Sequence, residues 1–421
     1  MKRRVTPGPV PTPVQTAEPD ATVELAAAEF RQKLSLWYRK HARSLPWRGV
    51  NDPYATWLSE IMLQQTRVAT VIDRYREFLG RFPTLKDLAN AEENEVLALW
   101  SGLGYYRRAR MLHRGAQFVM RELDGKLPRT AVELKTLPGV GAYTAAAIAS
   151  IAFGESVAVV DGNVERVLLR ILGLAEERSG KGRARVATAA QSLVPAAAKR
   201  QGRTNPPGDH NQAMMELGAT ICLPKSPLCL QCPVFALCLT RGEHVTGPRQ
   251  KQKSSIVAHL LAVRKSGTTT EVLLERRSDE ASLMPGMLEL PPLPMNAVEG
   301  HEPVLRVRHA ITNTNYYAQI FSEGAVGTAP VAMKDEPDKS AIPESRDEDE
   351  VYEDALFVAK PEEARLPGAE EQRSLLQQIP AAAHDLRWTS ATRLHELPLT
   401  GLARKVLQRL GVMRIATVRI P

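Results

Sequence analysis

Apolar residues between positions 21 and 241 recur every three or four residues, the spacing that places them on one face of an α-helix. Runs of β-branched residues are few in this part of the chain, so we predict an all-helical body. One helix is expected to begin at Asp52-Pro53, an N-cap residue followed by proline at the first helical position. The predicted helices cover 26–41, 52–79, 88–100, 107–123, 132–136, 142–153, 162–172 and 184–198.

The apolar stripe of the second helix lapses at Gln64-Gln65-Thr66. Polar side chains there occupy a face that should be buried. Either the helix breaks at this point, or the three residues have a function that needs their polarity.

The pattern changes after a polar and basic stretch at 241–255. Segments 256–263, 271–275 and 316–321 have the character of strands, and 402–410 that of a closing helix. We therefore predict a disordered, proline-rich leader at 1–22, a helical domain at 23–240 and a linker at 241–255. A smaller α+β domain follows at 256–421, interrupted by an acidic insertion at about 327–372.

The composition limits the possible classes of protein. The hydrophobic fraction of 43% and the charged fraction of 24% exclude a disordered, collagen-like or disulfide-scaffold chain. No apolar stretch approaches the roughly 18–20 residues of a membrane span, and the N-terminal residues lack the apolar core of a secretory signal. We expect a cytoplasmic, nucleoid-associated protein that acts as a monomer.

The charge is unevenly distributed. The chain carries a net charge of +8, but residues 335–371 include 14 acidic and 4 basic side chains. This segment therefore carries −10, and the remainder of the chain carries +18. A basic body favours an anionic partner, nucleic acid first, although a basic surface kept for solubility is the alternative.

All four cysteines lie within seventeen residues, in a C-x6-C-x2-C-x5-C arrangement formed by Cys222, Cys229, Cys232 and Cys238. In a reducing compartment such a cluster indicates metal ligands rather than disulfides. Structural zinc usually takes two short-spaced pairs, whereas only one C-x2-C is present here. The spacing favours a [4Fe–4S] cluster and leaves zinc, or no metal, as alternatives.

A short turn between two helical stretches, Leu137-Pro138-Gly139-Val140-Gly141, could bind phosphate. Its glycines allow close approach of the backbone, and the next helix presents free N–H groups at its positive end. This is the pattern of a helix-hairpin-helix that grips the DNA backbone; a plain tight turn is the alternative.

Two carboxylates have an ordinary interpretation beside a functional one. Asp161 follows an apolar run and precedes a helix, so it could serve only as an N-cap. Glu60 could be a solvated charge on a helix flank.

Five stretches together resemble the MutY family of adenine DNA glycosylases. They are Trp57–Thr66, the Gly-Leu-Gly-Tyr-Tyr motif in 100–106, the hairpin, Val-Asp-Gly-Asn-Val at 160–164 and Asn211–Gly218 with the cysteine loop. The resemblance covers about residues 25–240. It implies a mainly α helix-hairpin-helix glycosylase body with a [4Fe–4S] loop, which flips and removes adenine opposite 8-oxoguanine or guanine in duplex DNA.

The resemblance also implies roles for individual residues. Glu60 would protonate the adenine, Asp161 would stabilise the cationic sugar and Tyr143 would orient Glu60. Gln65 and Tyr105 resemble the intercalating residues, with Thr66 and Leu103 beside the opposite base. The positions that match the adenine pocket are Arg43, Trp47, Arg48 and Leu63.

Position 143 separates two branches of the wider superfamily. Bifunctional pyrimidine glycosylases carry a lysine there, which forms a Schiff base, and Tyr143 cannot do so. We therefore predict a monofunctional enzyme. The alternatives are an endonuclease III-like glycosylase for oxidised pyrimidines and a non-catalytic DNA-binding protein.

The C-terminal region is similar, more weakly, to the Nudix-like domain with which the family reads 8-oxoguanine. The glutamate-rich Nudix metal signature is absent, so nucleotide hydrolysis is not expected. Where relatives usually carry Phe-Ser-His, this chain has Ile311-Thr312-Asn313. Thr312 keeps a hydroxyl toward the DNA, but the aromatic ring is lost, so we expect weaker discrimination between 8-oxoguanine and guanine.

Overall fold

The computed structural model describes residues 21–50, 52–175, 180–197, 205–244, 253–311, 313–323, 374–380 and 385–413. Thr312 and the predicted acidic insertion at 327–372 lie outside these ranges, as do most of the predicted leader and linker.

The described residues up to Thr220 form helices joined by loops, which confirms the predicted helical body. The helices are α1 (Ala21–His41), α2 (Pro53–Leu63), α3 (Val68–Arg81), α4 (Leu85–Ala89), α5 (Glu93–Trp100), α6 (Arg107–Glu122), α7 (Ala131–Leu134), α8 (Ala142–Phe153), α9 (Gly162–Ile171), α10 (Gly180–Leu193) and α11 (Pro206–Thr220).

The second predicted helix breaks at its polar residues. Gln65 has a left-handed backbone with φ of 55°, which cannot continue a right-handed helix, and α3 begins after the extended residue Arg67. The break confirms the first interpretation of the polar lapse. Because Gln65 is also exposed, a functional role stays compatible with the structure.

The single helix predicted at 88–100 is wrong, because α4 and α5 are separate helices. Thr84 starts α4 with a capping box, in which its hydroxyl accepts from the Asp87 N–H and the Asp87 carboxylate accepts from the Thr84 N–H. Glu92 then begins α5 with an extended backbone. The capping residues therefore divide a segment whose apolar spacing is continuous.

After the cysteine loop the chain forms a mixed sheet, which confirms the predicted smaller α+β region. The strands are β1 (Lys253–Ser266), β2 (Thr269–Arg276), β3 (Leu288–Glu289), β4 (Pro292–Leu293), β5 (Leu305–Ile311), β6 (Thr314–Glu323) and β7 (Leu386–Ser390), followed by α12 (Gly401–Arg409). The main order is β3-β2-β1-β6-β5, with β4 paired to β1 and β7 to β2. The central pair β1 and β6 is parallel, from Lys253 opposite Thr314 to Ala262 opposite Glu323.

Both faces of this sheet are covered by apolar cores. On β2, Val272 and Leu274 belong to a core that includes Val406 of α12, whereas Leu273 belongs to a core with Phe321 of β6. Side chains alternate across a strand, so consecutive residues of β2 serve opposite faces.

The chain divides into two compact units whose boundaries interleave along the sequence. The first unit comprises Met1–Thr56, Pro128–Thr136 and Val140–Thr246, and the second comprises Trp57–Leu127, Leu137–Gly139 and Gly247–Pro421. The second unit thus contains both helices α3 to α6 and the sheet. Among the described residues, no helix combines the length and apolar character that a membrane span requires.

Candidate functional site

Glu60 is a buried carboxyl group on α2. Its side chain is 5% exposed, and its neighbours Trp57, Ile61 and Met62 are buried as well. The interpretation of Glu60 as a solvated flank charge is therefore wrong. Acidic side chains are almost never buried to this degree without a specific partner or role.

Asp161 caps α9, as its ordinary interpretation predicts. The Val164 N–H donates to its Oδ1 at 2.7 Å, and the Asn163 amide donates to its Oδ2 at 3.3 Å. The cap does not exclude chemistry, because the positive end of a helix favours an ionised carboxylate. Asp161 belongs to the first compact unit and Glu60 to the second, and their pairing stays a prediction.

A chain of hydrogen bonds connects the start of α9 to the cysteine loop. Arg166 donates through Nη2 to the Asn163 side-chain oxygen at 2.9 Å and through Nε to the Cys222 carbonyl at 2.9 Å. Asn163 in turn contacts Asp161. The position of this carboxylate is thus coupled to a loop about sixty residues later in the chain.

Tyr143 lies in the first turn of α8 and is half-buried. Its hydroxyl contacts the Met215 sulfur at 3.5 Å, and its ring packs beside Ala146, Ala147 and Val159. Its predicted role toward Glu60 stays a prediction.

The two hairpin glycines have different local structures. Gly139 has φ of 76°, and a Cβ there would lie 2.4 Å from Met111 Cβ, so glycine is required. Gly141 is the extended residue before α8, and a Cβ there would have no atom within 4 Å. Gly141 and Ala142 are both exposed, so α8 begins at the surface, and the positive end of a helix favours an anion.

Gln65, Thr66, Leu103 and Tyr105 come together in the second unit through one arginine. Arg108 donates through Nη1 to three carbonyl groups and through Nη2 to two more and a hydroxyl. Its partners are the carbonyl oxygens of Ile61 (2.7 Å), Met62 (3.1 Å), Gln64, Leu103 (3.0 Å) and Gly104 (3.1 Å), and Thr66 Oγ1 (3.1 Å).

Arg108 was not predicted from the sequence. Its guanidinium lies 5.6 Å from the centre of the Tyr105 ring, and burial lowers its pKa to about 10. The residue joins the loop after α2 to the loop before α6. Tyr105 is 44% exposed and has φ of 49°, whereas the Leu103 side chain is buried.

The predicted pocket arginines share one buried carboxylate. Arg43 donates to Glu216 through its backbone N–H, Nε and Nη2 at 3.1, 2.8 and 2.8 Å, and Arg48 donates through Nη2 at 2.5 Å. Burial alone would raise the pKa of Glu216, but these hydrogen bonds outweigh it and lower the pKa to about 2. The Glu216 side chain is 1% exposed.

Glu216 was not singled out from the sequence, although it is the only carboxylate between His210 and Thr220. Trp47 lies between the two arginines in sequence and is 7% exposed. Leu63, the fourth predicted pocket residue, ends α2 in the second unit and is half-buried.

The four cysteines line one cavity in the first unit. Among the described residues, no three cysteine, histidine or acidic side chains lie close enough to hold a single metal ion. The cavity walls between the sulfur atoms are apolar and include Val167, Ile171, Leu217 and Phe235. Four cysteines spread around a cavity suit a cluster better than one zinc ion, whose sulfur ligands lie about 2.3 Å from it.

Burial raises the pKa of Cys232 to about 11 and also raises that of Cys229. Thiolates at these positions therefore need a positive centre. Arg170, which is 3% exposed, donates to the Cys222 sulfur at 3.3 Å and to the carbonyl groups of Leu223 and Pro224 at 2.6 and 2.9 Å. The residues present fit a bound metal cluster.

In a comparison with known proteins, residues 58–195 match the model of the family described as HhH-GPD superfamily base excision DNA repair protein. The adenine DNA glycosylase of Homo sapiens is 51% identical over 222 residues, which cover 50% of this chain and 39% of that protein. The adenine DNA glycosylase of Arabidopsis thaliana is 40% identical over 52% of this chain and 38% of its own.

The match covers a larger share of a bacterial relative than of these two proteins. The adenine DNA glycosylase of Buchnera aphidicola subsp. Schizaphis graminum is 35% identical over 54% of this chain and 65% of its own. This chain therefore spans about two fifths of the length of the human protein and about two thirds of the bacterial one.

Proposed function

We propose that the chain is a monofunctional adenine DNA glycosylase of the HhH-GPD superfamily of base excision DNA repair proteins, whose family model matches residues 58–195. Its substrate is duplex DNA with adenine opposite 8-oxoguanine or guanine, and it hydrolyses the N-glycosidic bond of that adenine. The observation that carries the proposal is the buried carboxyl group of Glu60, inside the segment that matches the family.

The proposed chemistry needs two carboxyl groups in different states. Adenine is a poor leaving group, so a proton must reach its ring as the bond breaks, and Glu60 supplies it. Burial favours the protonated form of a carboxyl group. The sugar gains positive charge at the same time, and the carboxylate of Asp161, held at the start of α9, is the group proposed to stabilise it.

The base must leave the helix before this chemistry can occur. Gln65 and Tyr105, both exposed and both on left-handed backbone, are proposed to enter the stack beside it. Gly139 and Gly141 bring the hairpin backbone to a phosphate group. Left-handed residues at such positions persist only where the surrounding structure holds them, and Arg108 does so for both loops.

We propose that Arg43, Trp47, Arg48 and Leu63 contact the adenine, and that Glu216 holds the loop that carries the first three. The doubly paired carboxylate orients the Arg43–Arg48 loop, which carries Trp47. Leu63 adds apolar surface at the end of α2. A purine fits such a site because the ring needs apolar walls and a few fixed polar groups.

We propose that Cys222, Cys229, Cys232 and Cys238 hold a [4Fe–4S] cluster. When bound, it supplies four iron–thiolate bonds that close residues 222–238 into one loop. Arg166 and Arg170 of α9 are hydrogen-bonded to the start of that loop. The loop in turn supports the helix that Asp161 caps.

The proposal assigns 8-oxoguanine recognition to the Nudix-like region, with Thr312 among its DNA contacts. Because the aromatic residue of the usual loop is replaced by Ile311, the excision rates opposite 8-oxoguanine and guanine should differ less than in relatives with Phe-Ser-His. A ratio of the two rates as large as that of relatives with Phe-Ser-His would contradict this part of the proposal.

The test is single-turnover excision on a duplex with adenine opposite 8-oxoguanine, followed by alkali to cleave abasic sites. The wild-type chain should release adenine, and Glu60→Gln should lose at least about a hundredfold, the usual contribution of a general acid. Glu77→Gln, a partly exposed carboxylate on α3, is the control. An unchanged excision rate for Glu60→Gln would contradict the proposed mechanism.

Borohydride trapping distinguishes the pyrimidine-lyase alternative. Tyr143 has no amine, so no stoichiometric covalent adduct with DNA should form. A stoichiometric adduct would contradict the monofunctional assignment.

A further inference from the structure

The loop between α5 and α6, residues 101–106, has an unfavourable backbone. We call it the wedge loop because it carries Tyr105. Gly102, Gly104 and Tyr105 have φ values of 97°, 67° and 49°. Tyrosine is unfavourable in this left-handed region, so the surrounding structure must hold it there.

The two ends of the wedge loop meet one carbonyl group of the C-terminal region. The Ser101 hydroxyl donates to the Leu399 carbonyl oxygen at 3.1 Å, and the Tyr106 hydroxyl donates to the same oxygen at 2.8 Å. Arg404 of α12 donates through Nε to Ser101 Oγ at 2.5 Å. Ser101, Tyr106 and Arg404 are 0%, 2% and 7% exposed, so water does not compete for these bonds.

The accepting carbonyl group is itself fixed. The next residue, Thr400, donates its N–H to the Leu288 carbonyl at 2.9 Å and caps α12. Its hydroxyl donates at 2.5 Å to Glu289 Oε2, and Glu289 is 4% exposed. The support of the wedge loop is therefore a rigid, buried polar network within one compact unit.

The polar character of this contact indicates that it positions the wedge loop and does not only attach it to the C-terminal region. Arg404 is a buried cation whose Nη2 has no hydrogen-bond partner among the described residues. Burial lowers the pKa of Arg404 to about 10. Well-packed apolar side chains at such a contact would be at least as stable. The polar groups instead fix the direction of the loop ends.

We propose that Tyr106 and Arg404 are positioning residues for base flipping, an inference that rests on the proposed function. They hold the ends of the wedge loop on the C-terminal region so that Tyr105 stands toward the DNA. The C-terminal region then contributes to extrusion of the adenine through Leu399, besides any contact of its own with the opposite base.

The test uses the full-length chain with its cofactor and a duplex that carries 2-aminopurine beside the adenine opposite 8-oxoguanine. The fluorescence of 2-aminopurine reports unstacking, and adenine release is measured under single turnover. Loss of one buried hydrogen bond changes an equilibrium by about five- to tenfold. Tyr106→Phe should lower the extent of unstacking and the excision rate constant by this factor, with less than about a twofold change in duplex affinity.

Dependence on Tyr105 separates positioning from general destabilisation. If Tyr106 acts through Tyr105, the double variant Tyr105→Ala/Tyr106→Phe should be no slower than Tyr105→Ala alone. Tyr317→Phe, at a 44% exposed tyrosine on β6, is the matched control and should behave as wild type. Ser101→Ala is a second variant that removes one bond to the same carbonyl, should Tyr106→Phe fold poorly.

Two outcomes would overturn the inference. One is that Tyr106→Phe and Ser101→Ala both give the same extent of 2-aminopurine unstacking as the wild type. The other is a defect that multiplies with that of Tyr105→Ala. Both differ from failure of the proposed function, which would show as no adenine release by the wild-type chain, since unstacking of the probe is measured without cleavage.

Discussion

Replacing Glu216 by glutamine tests whether one buried carboxylate organises the Arg43–Arg48 loop. The variant keeps the shape of the side chain and removes its charge. Arg43 and Arg48 then lose their shared anion, although their side chains are 39% and 16% exposed and can be partly solvated. The loop that carries Trp47 should become less firmly held.

The pKa of Glu216 gives the magnitude. It falls from the ordinary 4.5 to about 2, and each tenfold change in proton affinity corresponds to about 1.4 kcal/mol. The ionised form therefore contributes about 3 kcal/mol to the free energy of unfolding at pH 7. Because glutamine still accepts a hydrogen bond, we expect Glu216→Gln to lose about 2–3 kcal/mol.

The assay is urea unfolding at pH 7 of the wild type, Glu216→Gln, Arg48→Met and the double variant, all with equal cofactor content. Residues that share a network should show a coupling energy of about 1–2 kcal/mol. Glu77→Gln breaks a partly exposed ion pair on α3 and should cost less than about 1 kcal/mol. A loss for Glu216→Gln no larger than this control, or additive single variants, would refute the reasoning.

Three further outcomes can be checked by unfolding and binding measurements. The pKa of Glu216 in the folded chain lies below its unfolded value. The stability difference between wild type and Glu216→Gln should therefore persist down to about pH 4.5 and shrink only as pH falls toward 2. Urea titrations in which the difference is already lost above pH 5 would contradict this. Gly139→Ala should lower the melting temperature and weaken duplex binding, since its Cβ would meet Met111 at 2.4 Å. Gly141→Ala, where a Cβ meets no atom, should change stability little. Equal melting temperatures of the two variants would contradict the hairpin geometry. Arg166→Met should destabilise the chain by about 1–3 kcal/mol and reduce both cluster absorbance and the excision rate, because it loses its bonds to Asn163 and the cysteine loop. Wild-type cluster absorbance and a wild-type excision rate would show that these bonds have no supporting role.

The helical body was predictable because its signals are local. The three/four spacing, the N-cap at Asp52 and the polar lapse at Gln64-Gln65-Thr66 each depend on a few neighbouring residues. The predicted bounds of α8 agree with the structure, since Gly141 precedes the helix and the left-handed Gly154 ends it. Helix α11 was not delimited, because its inward face mixes polar His210 and Glu216 with apolar residues.

The supporting residues were not predictable in the same way. Arg108 looks like one of several arginines at the start of α6, and only the folded chain shows its bonds to carbonyl groups of two separate loops. Glu216 likewise gains its importance from partners about 170 residues earlier. A strand signal was available for β5, where Leu305 and Val307 alternate with arginines, and it was missed.

For Asp161, the observed N-cap is compatible with the proposed functional role. The cap bond from Val164 uses Oδ1, while Oδ2 has a longer bond from Asn163. An N-cap carboxylate experiences the positive end of its helix, which keeps it charged. Arg166 then relates that carboxylate to the cysteine loop. The proposed reaction requires an anion beside the developing cation, and the capping bond holds the Asp161 carboxylate in a fixed position that is compatible with this proposed role.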